Sequence, residues 1–230
     1  AENYGREYDT TTPVLDTQQY TLTFISKATH YAPFITFLTA QTYNDFHFEE
    51  LGKTFRLRFV SAQKSKTEQG YITTDITLAN DTSLQGYTYT APNATLPLSG
   101  FTIDGTDLSK YGIYLLEENQ NTLLPTYEVK EHLTTASNTL AGVQYAQHAN
   151  TFKERTLTLH CYISQPLTSF WQLYDALLYN LTKQGERTIN IPLSFGGGGL
   201  KAIYQKASIK NALLISNTLK VEFTLTFVLV

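Results

Sequence analysis

A chain of 230 residues, 42% hydrophobic and 13% aromatic, carries enough apolar surface for a core in each of two domains, which argues against wholesale disorder. Charged residues make up 16%, against about 25% in a typical soluble domain, and the net charge is −3 with Lys and Arg scattered. Nothing here builds the basic face that sequence-specific nucleic-acid binding requires, and the single cysteine, Cys161, excludes an intrachain disulfide framework or a cysteine metal cage.

The uncharged surface has two readings, a Thr-rich β protein with β-branched residues on its exposed faces, or a protein buried in an assembly, where charge is depleted and Tyr enriched. No apolar run is long enough to span a bilayer, no signal-peptide pattern opens the chain, and membrane insertion is not expected. The chain does not start with Met, so a trimmed or processed end is expected.

In chain order, residues 1 to 19 read as the remnant of a loop. "YTLTFI" from Tyr20 reads as a strand, Pro33 opens a helix over "PFITFLTAQTY", and Gly52 precedes a strand "KTFRLRFV". A polar turn "SAQKSKTEQG" then leads into a strand "YITTDITLA". The stretch "APNATLPLSG" reads as a linker, which divides the chain into residues 1–92, a linker at 93–100, and residues 101–230.

The second part opens with a hairpin, "FTIDGTDLSKYGIYLLEE", turning at Asp104 and Gly105 and returning from Tyr111. Residues 117–153 show little period, and loops of that length in compact domains are functional or disordered. Tyr127, His132, Tyr145 and His148 in it are the candidate residues of an oligomer interface. "RTLTLHCYI" from Arg155 is a strand. Ser164 and Pro166 start a helix with Leu167, Phe170, Trp171, Tyr174, Leu178 and Leu181 on its apolar stripe, and Gly185 stops it. The strands "ERTINIPL" and "LKAIYQKASI" follow, and then a pair, "ALLISN" and "TLKVEFTLTFVLV", turning at Asn217 and Thr218.

The two halves read as an internal duplication. Both run strand, helix, strand, both contain "TLT", and Pro33 to Gly52 spans nineteen positions, as does Pro166 to Gly185. The closing strand pair has no counterpart in the first half, which either lost it or replaced it with "LQGYTYT".

Chemistry is sparse. His30, His47, His132, His148 and His160 form no metal-type pair. The doublets Glu49-Glu50 and Glu117-Glu118 put neighbouring carboxylates on opposite faces of a strand. "FGGGGLK" lacks the Ser or Thr and the helix of a phosphate loop, and no nucleophile elbow occurs. Asn80, Asn93 and Asn180 head glycosylation-type triplets, which need a secretory context to matter. Cys161 reads as a buried structural thiol and Trp171 as core packing. No catalytic, cofactor-binding or metal residue is expected, and the chain reads as no enzyme.

At "LSGFTIDGTDLSKYGIYLLEE", the long irregular loop, "RTLTLHCYI", the helix and the closing strands, the order resembles that of bacteriophage tail-tube and distal-tail proteins. The likeness covers about residues 99 to 230 well and the first half in part. It implies a mainly β protein of two tandem β-sandwich or barrel domains, each with one flanking helix. It also implies a structural role in the tail tube, distal tail or baseplate hub of a virion or prophage particle, made in the host bacterial cytoplasm. Its partners would be itself, in a trimeric or hexameric ring, and other tail proteins, with DNA passing through without specific binding. The tube-like unit occurring twice departs from the usual distal-tail plan. Two units per chain would close a pseudo-sixfold ring from three chains or stack two layers from six. The rival reading is a cell-surface or secreted β-sandwich module that binds glycan or protein, with Tyr87, Tyr89, Tyr127 and Tyr145 as stacking residues.

Overall fold

The computed structural model describes residues 16–81, 83, 84, 86–116, 128, 134–136, 143–145, 155–192 and 198–230. The protein is mainly β and divides into two compact units, the first ending at Tyr89 and the second beginning at Thr90. The segment 93–100 packs with the second unit: the Ala94 N–H donates to the Lys110 carbonyl at 2.9 Å, and the Gly100 N–H to Asp107 Oδ2 at 2.8 Å.

The first unit runs β1 (Gln18–Lys27), α1 (Ala28–Ala40), β2 (Asn44–Phe48), a 3₁₀ turn (Glu49–Leu51), β3 (Lys53–Glu68) and β4 (Tyr71–Asn80). Its sheet is antiparallel throughout, in the order β1-β4-β3-β2. Alternation places Leu22, Phe24, Leu57, Ile76 and Leu78 on one face, where Leu38 of α1 closes the core with Phe34 and Ile35.

Three expectations change here. The helix starts at Ala28 rather than at Pro33, which sits in its second turn and costs the helix one backbone hydrogen bond. "SAQKSKTE" is not a turn but the distal half of β3. Only Gln69 and Gly70 turn, both at positive φ (49° and 79°), as a tight hairpin of right-handed strand twist demands. Polar composition suggested a loop, yet a strand with solvent on its faces needs no apolar period. Finally, a strand that the sequence did not announce, β2, intervenes between α1 and Gly52, which caps the 3₁₀ turn and directly precedes β3.

In the second unit β5 (Thr102–Ile103) and β6 (Thr106–Asp107) flank the expected Asp104-Gly105 turn, with φ of 50° and 80°. A 3₁₀ turn (Leu108–Tyr111) intervenes before β7 (Ile113–Leu115), so the return strand starts later than Tyr111. A small hairpin pairs β8 (Thr134–Ala136) with β9 (Val143–Tyr145). Then come β10 (Arg155–Pro166), α2 (Leu167–Leu181), β11 (Arg187–Ile191), β12 (Gly198–Ile215) and β13 (Thr218–Leu229). The sheet order is β6-β5-β11-β12-β13-β10-β7.

"LKAIYQKASI" and "ALLISN" are one continuous strand, β12, and the turn sits one residue earlier than expected, at Ser216 and Asn217, both at positive φ (47° and 63°). On α2 the buried residues are Phe170, Leu173, Ala176, Leu177, Asn180 and Leu181. Trp171 lies at their edge against Phe170, ring centroids 5.1 Å apart.

Each unit therefore contains strand, helix, short strand, long strand and strand, with the sheet order β1-β4-β3-β2 matched by β10-β13-β12-β11. The long strands also correspond. β3 shifts register at Phe59/Ser61 and Lys64/Lys66, and β12 at Tyr204/Lys206 and Ile209/Asn211, five residues apart in each case. The closing hairpin does have a counterpart in the first unit, β3 and β4, and "LQGYTYT" replaces nothing.

Candidate interaction surface

The second unit is pinned from inside by two buried polar clusters. Arg187, the first residue of β11, sits under the end of α2. Its Nη1 donates to the Asn180 carbonyl and to Asp104 Oδ2, each at 3.0 Å, and its Nη2 to the carbonyls of Lys183 at 3.1 Å and Gly185 at 3.0 Å. A guanidinium at a helix C-terminus meets unpaired carbonyls with matching charge, and here it also fastens the β5–β6 turn to α2. Gly185, at φ +87°, gives the chain the left-handed bend that aims its carbonyl at Arg187. Asp107 holds the strap before β5 by accepting from the N–H groups of Ser99, Gly100 and Ser109. Burial alone would raise its carboxyl, but the hydrogen bonds from Ser109 and Ser99 outweigh this and leave it below the ordinary value.

In the first unit Arg58 and Asp81 form a bidentate pair, at 2.7 and 3.1 Å, joined by the Thr17 and Tyr43 hydroxyls. The hydrogen bond from Arg58 is the largest cause of Asp81's lowered pKa.

The sequence candidates are dispersed. Tyr127, His132 and His148 lie outside the described residues, as does Glu117-Glu118, and Tyr145 closes β9 opposite Thr134. Cys161 is fully buried, and desolvation pushes its thiol far up, away from nucleophile chemistry. His47 contacts Thr54 Oγ1 at 3.0 Å, and His160 Nδ1 accepts from Lys210 Nζ at 3.1 Å. Among the described residues no cluster of three or more His, Cys, Asp or Glu could hold a metal, and none of the described helices is long and apolar enough to cross a membrane.

What stands out is the sheet edges. β2 covers β3 only from Lys53 to Leu57, and β11 covers β12 only from Gly198 to Ala202. Beyond these points the described residues place no strand on the outer side of either long strand. The outer sides of β1 and β7 likewise end their sheets. Rows of outward N–H and C=O groups of this length are templates for another strand, and natural proteins blunt such edges or pair them. Large apolar side chains stand out near them: Ile25 on β1 is 73% exposed and Ile209 on β12 59%. Sequence reading pointed to the long loop as an interface and to "TLKVEFTLTFVLV" as an edge, but that strand, β13, is paired on both sides, by β10 and β12, and the open edges lie elsewhere.

No protein-family model matches this chain, and no curated protein or solved structure is similar to it at a significant level.

Proposed function

We propose that this chain is a structural component of a phage or phage-like tail, in the tube, the distal tail or the baseplate hub, and that copies of it assemble into a ring around a central channel. The observation that carries this reading is the pair of units with one element order and one sheet order, each with a long strand, β3 or β12, whose outer edge past Leu57 or Ala202 has no strand beside it in the described residues. A ring of sheets needs a free edge on both sides of every unit, and it removes the aggregation hazard of those edges by closure. Low charge and abundant Thr and Tyr suit surfaces that end up against other subunits. A duplicated unit then provides the repeats of a ring from fewer chains, or two stacked layers. Passage of DNA requires no base-reading groups, in keeping with the lack of a basic face.

Multi-angle light scattering across a concentration series tests this. The reading expects a discrete assembly of three or six chains. A monomer at every soluble concentration counts against it.

A further inference from the structure

Among the described residues the sheets end on β1, β2, β6 and β7, and β3 and β12 are bare beyond Leu57 and Ala202. Proteins protect such edges by keeping them short or by ending core-facing rows in lysine. β2, β6 and β7 are short, with five, two and three residues. Bare β3 has Lys64 opposite the buried Thr74, its ammonium 4.3 Å from the centre of the Tyr31 ring on α1. By the matching register shifts the same place on β12 belongs to Ile209, which is 59% exposed. Two long edges therefore lack protection on the helix-bearing face: β12 from Ile203 to Ile215, and the ten residues of β1, where Tyr20, Leu22 and Phe24 are only half-buried. One belongs to each unit.

Charge on the opposite face separates the possible partners. Bare β12 carries Lys206 and Lys210 and no carboxylate, and Lys210 lies on that face beside His160 and Glu222. A second β12 would set these lysines against their own copies, which disfavours pairing of β12 with itself. Beside β1 on the same face stands Asp75 of β4, which accepts from Thr23 Oγ1 at 2.7 Å. One register then satisfies both faces. With the strands parallel and Ile25 beside Leu213, Phe24 lies beside Ala212, Thr23 beside Asn211 and, past the bulge residue Lys210, Leu22 beside Ile209. Phe24, Leu22, Ala212 and Ile209 are on the helix-bearing faces, whereas Ile25 and Leu213, 73% and 50% exposed, are on the other. All of β1 finds a neighbour between Tyr204 and Ile215. Run antiparallel, the same contact leaves everything before Thr23 beyond the end of β12.

We propose that β1 of one copy adds in parallel to the bare edge of β12 in another copy, with Ile25 against Leu213 and Leu22 against Ile209. The first unit of one chain thus meets the second unit of the next. Edge length, the apolar residues on both faces and the placing of Lys210 level with Thr23 and Asp75 select this pairing. The proposal rests on the chain being a self-assembling ring protein, and within that reading it selects alternation of the two units around one ring over two stacked layers.

The test uses the full chain in two preparations, Ile25→Cys and Leu213→Cys, mixed while dilute, concentrated together and treated with a short bismaleimide. Each preparation alone and the unsubstituted protein, whose Cys161 is buried, serve as controls. A cross-linked dimer that appears in the mixture and in neither preparation alone is the expected result, and Ile209→Lys is expected to weaken self-association about tenfold or more. A dimer from Leu213→Cys alone, cross-linking of Leu213→Cys with Tyr114→Cys but not with Ile25→Cys, or no mixed dimer at the highest soluble concentration overturns the proposal. Closed rings that form without the mixed dimer leave the ring reading standing. A mixed dimer in open filaments supports the docking and counts against the ring.

Discussion

Arg187 and Asn44 hold the same place in the two units. Each is the first residue of the strand that follows the helix, each is buried, and each donates to a carbonyl near the helix end: Arg187 Nη1 to Asn180 at 3.0 Å and Asn44 Nδ2 to Leu38 at 3.1 Å. Two different polar side chains thus solve one problem, the unpaired carbonyls of a helix that ends inside a core. The larger residue goes with the larger unit, where it also reaches Asp104 on the β5–β6 turn, which has no counterpart among the described residues of the first unit.

Arg187→Ala should therefore destabilise the second unit by about 2–4 kcal/mol, because it leaves several buried carbonyls without a donor. Arg187→Lys should recover only part of this, since an ammonium cannot reproduce the fork that spans Asp104 and the helix end. Asn44→Ala should cost about 1–2 kcal/mol. Urea unfolding midpoints of the three variants check the order.

The Arg58–Asp81 pair makes the first unit sensitive to acid. Asp81 has a folded pKa depressed first by its hydrogen bond from Arg58, so its contribution is fully present above the unfolded value near 3.8 and is lost as pH falls through the lower folded value. Asp81→Asn should be less stable than the parent at neutral pH, and its stability should fall less steeply between about pH 5 and pH 3. Urea midpoints across that range read the difference in slope.

The turn of the β12–β13 hairpin holds Ser216 and Asn217 at positive φ. Replacing this pair with Asn-Gly suits that geometry and should stabilise the second unit by about 0.5–1 kcal/mol, measured as a raised thermal midpoint.

Lys64→Ile puts an apolar side chain on the part of β3 that β2 leaves uncovered. Analytical ultracentrifugation should show stronger self-association with a fold unchanged by circular dichroism, because Lys64 is exposed and its removal strips the protection from an edge.

Much of the fold was legible where local chemistry is strong. The Asp104-Gly105 turn, the strand from Arg155, the helix after Pro166 and the bend at Gly185 rest on signals that lie within a few residues of each other. The failures are of two kinds. Polar "SAQKSKTE" is strand because β4 pairs with it along its length, a long-range fact that its own pattern does not carry. The nineteen-residue spacings matched positions that are not equivalent, since Pro166 precedes α2 while Pro33 lies within α1, and Gly52 follows β2 while Gly185 precedes β11. The likeness between the units lies in topology, register shifts and the Arg187 and Asn44 positions. The edge at Ile209 was hidden for the same reason: exposure depends on where β11 stops, which no window of sequence around Ile209 records.

Negative-stain electron microscopy of the concentrated protein tests the central claim most directly. The account predicts class averages of closed rings with a central hole and either threefold or sixfold symmetry. Fields of single particles the size of one chain at every concentration, or open aggregates that never close, would contradict it.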